Sequence, residues 1–143
     1  MKSIKGFTLV ELLAVIVIIA ILVIITMTSV SGISKKIQTN MFCTKIKTIE
    51  HTAVLWGEDN YNDLQKVNAG QNHEAVNCAA NPGSCIKIQN LVDESYVKKD
   101  DLSNGNVVDP RDKSSMNTIE IKLFIKNNRV YAKVPSADAI CNQ

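Results

Sequence analysis

One apolar segment near the N-terminus, residues 7–30, constrains this chain more than any other feature. As a helix of about 24 residues that rises about 1.5 Å per residue, it would cross a ~30 Å hydrocarbon core. Glu11 is the only charged residue in the segment. Because a charge at the bilayer centre costs about 2.5–3.5 kcal/mol on insertion scales, an acid in this position indicates a function.

The segment has three interpretations. An ordinary secretory signal peptide would be cleaved after Ser31, where small side chains precede Gly32. A signal anchor would keep the segment, and Glu11 would reach toward the edge of the bilayer. In the third interpretation, Glu11 has a partner. Lysines lie on both sides of the segment, so we orient the N-terminus inward from its short basic start.

The sequence MKSIKG-FTLVE, followed by an unbroken apolar helix, resembles the class III signal of type IV pilins and pseudopilins. The resemblance implies that a membrane aspartic peptidase cuts between Gly6 and Phe7 on the cytoplasmic side and then N-methylates the new amine of Phe7. It also implies three parts: a leader peptide (residues 1–6), a hydrophobic transmembrane and assembly helix (7–31), and a periplasmic or extracellular globular head (32–143) that includes the second half of the stem helix.

The same resemblance implies a function. The chain would be a structural subunit that polymerises through its N-terminal helix into a type IV pilus or pilus-like filament. It would first be a single-pass protein of the bacterial inner (plasma) membrane and then part of a cell-surface or extracellular filament. Its partners would be copies of itself, the prepilin peptidase, other pilus assembly proteins and, before assembly, the membrane.

Other functions stay open at this stage. The chain could be a competence or type II secretion pseudopilin, or a minor pilin whose head binds DNA, a surface or secreted cargo. An exported soluble domain released at Ser31 is the remaining alternative. The start of the mature chain separates that last interpretation from the others, because a pilin-like protein would begin at Phe7 and a released domain at Gly32.

Glu11 has an assembly role under this resemblance. After cleavage, Phe7 carries a positive α-amine, and Glu11 of one subunit would neutralise the amine of its neighbour inside a low-dielectric bundle. Any other axial step would leave both charges bare, so the pair would fix the register between subunits. An internal pair is the alternative, since Phe7 and Glu11 lie one helical turn apart in one chain.

Charge and motif content exclude several classes of function. The formal net charge is +2, and the remainder balances at 14 basic against 14 acidic residues once Lys2 and Lys5 are removed with the leader. A neutral head gives no electrostatic case for general nucleic-acid binding. The sequence contains no Gly-rich phosphate-binding loop and no Ser/His/Asp or Cys/His pattern typical of a catalytic site. We therefore predict a protein that is not an enzyme and needs no cofactor.

The pattern after the apolar segment predicts that the helix continues into the head. Gly32 interrupts the apolar run, and we predict one helix from Phe7 to Leu55 that ends near Gly57. Apolar residues at helical spacing predict a core-facing stripe: Ile33, Ile37, Met41, Phe42, Ile46, Ile49, Ala53 and Trp56. The basic residues of other faces are most simply solvated, with DNA contact as the alternative: Lys35, Lys36, Lys45 and Lys47.

The second half of the chain predicts a β-hairpin. Apolar residues alternate over residues 118–126 and again over 129–134, with a turn at Asn127-Asn128 between them. We predict that its apolar face packs on the stem helix and that a third strand lies near residues 106–108, because two strands alone would be marginal. Residues 57–85 predict a surface loop with a short helix at 63–68, and residues 86–97 a short amphipathic element. The expected fold class is α+β and pilin-like, with a long N-terminal α-helix and a small antiparallel β-sheet head on its C-terminal half.

Four cysteines behind an export signal predict disulfides. Cys78 and Cys85 flank an Asn-Pro-Gly turn that could bring them together, which would leave Cys43 to pair with Cys141. Three connectivities are possible for four cysteines, and the sequence does not select one. The spacing is not that of a zinc site.

A second, looser resemblance concerns the middle of the head. The run LVDESYV…VDP is similar to the Leu-Val-x-x-Gly-Tyr-Leu…Asp-Pro run of major pseudopilins, with Ser95 in place of the glycine. That branch often holds calcium, which would make Asp109, Asp112 and Asp138 candidate ligands. Solvated turn aspartates are the simpler interpretation, and we predict no metal.

Overall fold

The computed structural model describes residues 8–141, and for residues 25–31 it describes the backbone alone. The chain divides into two compact units, residues 1–37 and residues 38–143. We refer to the second unit as the head. The helices of the described residues are α1 (Leu9–Asp59), α2 (Ile88–Asp93) and α3 (Pro135–Cys141), and the strands are β1 (Gln65–Lys66), β2 (Cys85–Lys87), β3 (Glu120–Lys126) and β4 (Arg129–Lys133).

The head is built on the C-terminal part of α1. The predicted stripe is buried there at steps of four, three, four and three residues: Phe42, Ile46, Ile49, Ala53 and Trp56. One face of the β-hairpin covers these side chains, with Ile121, Leu123 and Ile125 in the same core. The α+β pilin-like fold is thereby confirmed, because one amphipathic helix buries its apolar stripe against one sheet.

The sheet is mixed, with β3 at its centre. β4 pairs antiparallel with β3 along residues 122–126, β2 pairs antiparallel with residues 120–122, and β1 pairs parallel with residues 124–125. The hairpin turn is made by Asn127 and Asn128, whose φ angles are 51° and 60°. Two consecutive residues with positive φ form the type I′ turn that matches the twist of a two-residue hairpin, as the Asn-Asn pair predicted.

The structure corrects several local predictions. α1 ends at Asp59 rather than at residue 55. Gly57 lies inside the helix, where an added Cβ would come within 2.8 Å of Val130 and 2.9 Å of Leu123. This glycine therefore permits close approach of the hairpin and does not end the helix. The short helix expected at residues 63–68 is wrong, because a 3₁₀ turn at Tyr61–Asp63 is followed directly by β1.

The prediction of a third strand near residues 106–108 is also wrong. Around residues 106–108 the structure has isolated β-bridges, Asp101 with Asn106 and Val108 with Ser115, and the third substantial strand of the sheet is β2. The amphipathic element predicted over residues 86–97 divides into the end of β2 and helix α2.

The first part of the predicted stripe does not reach the core. Ile33, Ile37 and Met41 are 60%, 52% and 56% exposed, although their spacing is that of the buried residues that follow. Periodicity identifies the apolar face of a helix but not what covers it. In the part of the chain that the structure describes, no helix combines the length and apolar content needed to cross a bilayer.

Candidate processing and assembly segment

The processing residues predicted from the sequence, Gly6 and Phe7, lie outside the described residues. The description begins at Thr8, next to the predicted cleavage position, and α1 starts at Leu9. The contacts of this segment can therefore be described for Thr8, Glu11 and the apolar side chains that follow them.

Thr8 and Glu11 form a reciprocal cap at the start of α1. The backbone N–H and the hydroxyl of Thr8 donate to Glu11 Oε2 at 3.0 and 2.9 Å, and the backbone N–H of Glu11 donates to Thr8 Oγ1 at 3.3 Å. A helix leaves its first N–H groups without internal partners, and this pattern is the capping box that satisfies two of them. Glu11 also places a negative charge at the positive end of the helix dipole.

This capping role of Glu11 was not among the predictions from the sequence. The signal was present as Thr8-Leu-Val-Glu11 directly before an apolar run, which is the S/T-x-x-E signature of a helix start. The expected contact between Glu11 and the Phe7 amine, within a chain or between subunits, involves a residue outside the description and stays a prediction.

The side chains after the cap leave a wide apolar surface open. Leu9 is 79% exposed and Val23, the least exposed of its large hydrophobic side chains, is still 44% exposed. Apolar surface of this extent marks a protein or lipid contact and is rare on monomeric soluble proteins. The large hydrophobic residues involved are Leu9, Val10, Leu12, Leu13, Val15, Ile16, Val17, Ile18, Ile19, Ile21, Leu22, Val23 and Ile24.

Residues 1–27 match the family model described as the prokaryotic N-terminal methylation motif. The chain begins with the class III prepilin signal of type IV pilin-like proteins. This match covers the predicted leader, the predicted cleavage position between Gly6 and Phe7, Glu11 and most of the apolar segment. No curated protein and no solved structure matches the chain significantly. The prepilin signal is accordingly the part of the molecule that the comparisons identify.

Two disulfides reinforce the head behind this signal. Cys43 on α1 is bonded to Cys141 at the end of α3, and Cys78 is bonded to Cys85 across the Asn-Pro-Gly turn. Of the three possible connectivities, the structure contains the one in which Cys78 and Cys85, the two cysteines closest in sequence, are bonded to each other. The long bond ties the last helix to α1, whereas the short one fastens the loop between β1 and β2.

The three aspartates considered as calcium ligands are not gathered into one site. Asp109 is buried and accepts from Arg111, whose Nη2 lies 2.7 Å from Oδ2. Asp112 accepts from the backbone and hydroxyl of Ser114 at 2.9 and 2.7 Å. Asp138 faces His73 and Lys133 at 3.5 and 3.8 Å. Each carboxylate thus has a local partner that serves the fold.

The described residues contain one cluster of side chains of the kinds that bind metals, and a disulfide accounts for it. One group, Cys78, Cys85 and Glu120, brings ligand-type atoms within 4.8 Å of one another. Both sulfurs are consumed in the Cys78–Cys85 bond, so neither is a thiolate that could bind zinc. His51 is exposed on α1, and His73 lies against Asp138.

Part of the basic face of α1 serves the head itself. Lys45 forms an ion pair with Asp100 and donates to the carbonyl of Val108 at 2.7 Å. Partial burial would raise the pKa of Asp100, but hydrogen bonds from Lys45 and from the Val108 backbone N–H outweigh it and lower that pKa. Lys45 therefore anchors the 100–108 loop on α1, a role that competes with the DNA contact considered for this face.

Proposed function

We propose that this chain is a structural subunit that polymerises through its N-terminal helix into a type IV pilus or a pilus-like filament. The match of residues 1–27 to the N-terminal methylation motif carries the proposal. Cleavage between Gly6 and Phe7 leaves the apolar helix on the protein, and N-methylation modifies the Phe7 amine. The motif favours a structural subunit over an enzyme.

The apolar segment provides the assembly surface in this proposal. Before assembly, residues 7–30 hold the chain in the plasma membrane as a single span; this rests on their sequence, part of which lies outside the described residues. During assembly, the exposed side chains from Leu9 to Ile24 exchange lipid contacts for contacts with the same helix of other subunits. Since lipid tails are as apolar as leucine, close packing and paired polar groups decide the association.

Glu11 supplies the paired polar group. Its carboxylate is held at the first turn of α1 by Thr8, which in the sequence directly follows the proposed new N-terminus at Phe7. An amine from a neighbouring subunit would bind to a carboxylate that the helix already orients. A buried charge with a partner costs far less than one without, so the contact stabilises one axial step between subunits and disfavours the others.

Intact mass and N-terminal sequencing of the protein from sheared filaments and from membranes test the processing step. We expect a chain that begins at Phe7 and carries one added methyl group. Gly6→Val is the matched variant, and it should retain residues 1–6 and remain in the membrane fraction. A mature chain that begins at Gly32 would contradict the proposal, because the assembly helix would then be absent.

A further inference from the structure

The outer face of the β-hairpin carries a concentration of positive charge that contacts within the head neutralise only in part. In the register of β3 and β4, Lys122 lies opposite Lys133 and Lys126 lies opposite Arg129. Like charges directly opposite one another on a sheet are destabilising. We call this surface, together with Tyr131 between the two pairs, the basic strip: Lys122, Lys126, Arg129, Tyr131 and Lys133.

An aromatic side chain stands at the centre of the basic strip. Tyr131 stacks on Phe124 with ring centroids 5.6 Å apart and an interplanar angle of 15°. Phe124 is buried beneath Val67 and Val76, whereas Tyr131 is 40% exposed. Exposed tyrosines with a rigidly held ring are favoured at protein interfaces, because they bury a large area at a small cost in side-chain entropy.

The head neutralises only part of the basic strip. Lys133 lies 3.6 Å from Glu50 and 3.8 Å from Asp138, and Lys126 donates to the carbonyl of Gln71 at 2.8 Å. Over residues 8–141, no ion pair involves Lys122, Lys126 or Arg129. The strip therefore keeps a net positive charge around an exposed ring.

A patch of the opposite sign lies where α1 and α2 end. Glu58 and Asp59 close α1, and Asp93 and Glu94 close α2, with no basic residue in either last turn. Acidic groups at a helix C-terminus oppose the helix dipole, so this patch also reduces the stability of an isolated head. We call these four exposed residues the acidic end.

Three hydrogen bonds hold the acidic end together. The Trp56 indole N–H donates to Glu94 at 2.8 Å, and the Tyr96 hydroxyl donates to Asp59. The Asp59 hydrogen bond raises the pKa of Tyr96. Asp93 also accepts from the Gln89 side-chain amide at 2.6 Å. Three of the four carboxylates are thus fixed in place by neutral donors, and in the described residues none of the four forms an ion pair with a lysine or arginine.

The two patches are not paired with each other within the described head. Leu123 and Ile125 pack toward α1, so Lys122 and Lys126 project from the opposite face of the sheet. On α1, Trp56 turns toward the core while Glu58 is exposed on the side away from it. In the described residues no ion pair joins the basic strip to the acidic end, so both patches remain open to a second molecule.

We propose that the basic strip of one head docks on the acidic end of a neighbouring copy of this chain. Two different patches permit a heterologous contact, which repeats along an open polymer when the rotation between copies does not close a ring. The inference rests on the proposed filament and adds a head-to-head contact to the helix contacts. A second copy is favoured over a polyanion because the 14 basic and 14 acidic residues beyond the leader balance, and because the complementary patch lies in the same chain.

Site-specific photo-cross-linking in filaments tests this contact. A benzophenone amino acid replaces Tyr131 in the full-length chain, and the filaments are irradiated, sheared and digested for mass spectrometry. We expect a cross-linked dimer whose second peptide contains residues 58–59 or 93–94. The same probe at Asn104, an exposed residue that belongs to neither patch, is the matched control and should give much less dimer.

A charge swap provides the second measurement. Arg129→Glu or Glu58→Lys alone should lower the yield of sheared filaments and the 131 cross-link, and the double variant should restore both. Intact disulfides, read by gel mobility without reductant, exclude misfolding as the cause of a loss. The contact alone is wrong if filaments form normally but residue 131 cross-links to other peptides or to nucleic acid. It is also wrong if the single variants assemble and cross-link as the wild type does. A processed wild-type chain that never forms filaments overturns the proposed function, and the contact with it.

Discussion

Thr8 and Glu11 cap the first turn of α1 through three hydrogen bonds of 2.9 to 3.3 Å. The carboxylate for which we propose a role in assembly is therefore already part of a structural motif within one chain. A loss of assembly in a Glu11 variant has two explanations, a lost register contact and a weakened helix start, and the variants must separate them.

Three substitutions make that separation. Glu11→Gln removes the charge but keeps an oxygen that accepts from Thr8, Glu11→Val removes both, and Thr8→Val removes the hydroxyl of the cap and keeps the charge. If register decides assembly, both Glu11 variants lose filaments and Thr8→Val retains them, since a lost cap costs only about 1 kcal/mol. Filament yield after shearing measures the outcome. Assembly by Glu11→Gln together with failure of Thr8→Val would contradict the register role.

Ser95 adopts a backbone conformation that favours glycine. Its φ is 66°, and the chain reverses here after α2 with Tyr96 and Val97 donating to the Leu91 carbonyl at 2.8 and 3.1 Å. A residue with a Cβ in this left-handed region costs about 1 kcal/mol or more relative to glycine. Ser95→Gly should therefore raise the unfolding free energy by about 1 kcal/mol, measured by denaturant titration of the full-length chain in detergent.

The control for this substitution is Ser95→Ala, which keeps the Cβ and the strain. It should leave the unfolding free energy near that of the wild type, because the side chain of Ser95 is exposed. Equal stability of the glycine and alanine variants would show that backbone strain at this position is negligible.

The sequence predicted those parts of the fold that depend on local repetition. The stripe from Phe42 to Trp56 and the alternation in β3 and β4 are visible because one face of each element is buried. The processing motif is contiguous, from Gly6 to Glu11, so no folding knowledge is needed to detect it.

Other features depend on contacts between distant residues. β1 has two residues, too few for any alternation, and exists because it pairs with Phe124 and Ile125 far along the chain. Glycine is common at helix ends, but at Gly57 the packing of the hairpin against the helix overrides that preference and the helix continues. Ile33 and Ile37 share the spacing of core residues and are exposed, because spacing identifies an apolar face but not what covers it.

The two disulfides should contribute unequally to stability. Cys43–Cys141 joins residues 98 apart, and Cys78–Cys85 joins residues 7 apart. The loop-closure model gives about 4.7 kcal/mol for the long loop and about 2.5 kcal/mol for the short one. Replacing both cysteines of the long pair with serine should therefore lower the unfolding free energy about 2 kcal/mol more than the same change in the short pair.

Thermal or chemical unfolding of the two double-serine variants, side by side in the same detergent, measures this difference. A larger loss from the Cys78 and Cys85 replacement would reverse the expected order. It would indicate that native packing of the loop between β1 and β2 dominates over chain entropy.

Asp109 and Arg111 should make the stability of the head depend on pH. The hydrogen bonds and charge of Arg111 hold the pKa of Asp109 below its ordinary value of 3.8, and the guanidinium itself lies 3.6 Å over the Phe42 ring. The unfolded carboxyl has the higher pKa, so the stabilisation is complete above it and is lost as the pH falls through the folded value. We expect the unfolding free energy to decrease below about pH 4.

A double-mutant cycle isolates this pair. Asp109→Asn removes the carboxylate, and Arg111→Gln leaves it buried without a cation. Because Arg111 is about one-third exposed, we expect a coupling of about 1–2 kcal/mol at pH 7 instead of the value of a fully buried pair. The coupling should decrease as the pH falls toward 2, because the carboxyl becomes protonated first in the unfolded state and then in the folded state. Urea titrations of the wild type, both single variants and the double variant at the two pH values provide the numbers, and a coupling independent of pH would exclude an ionic contribution.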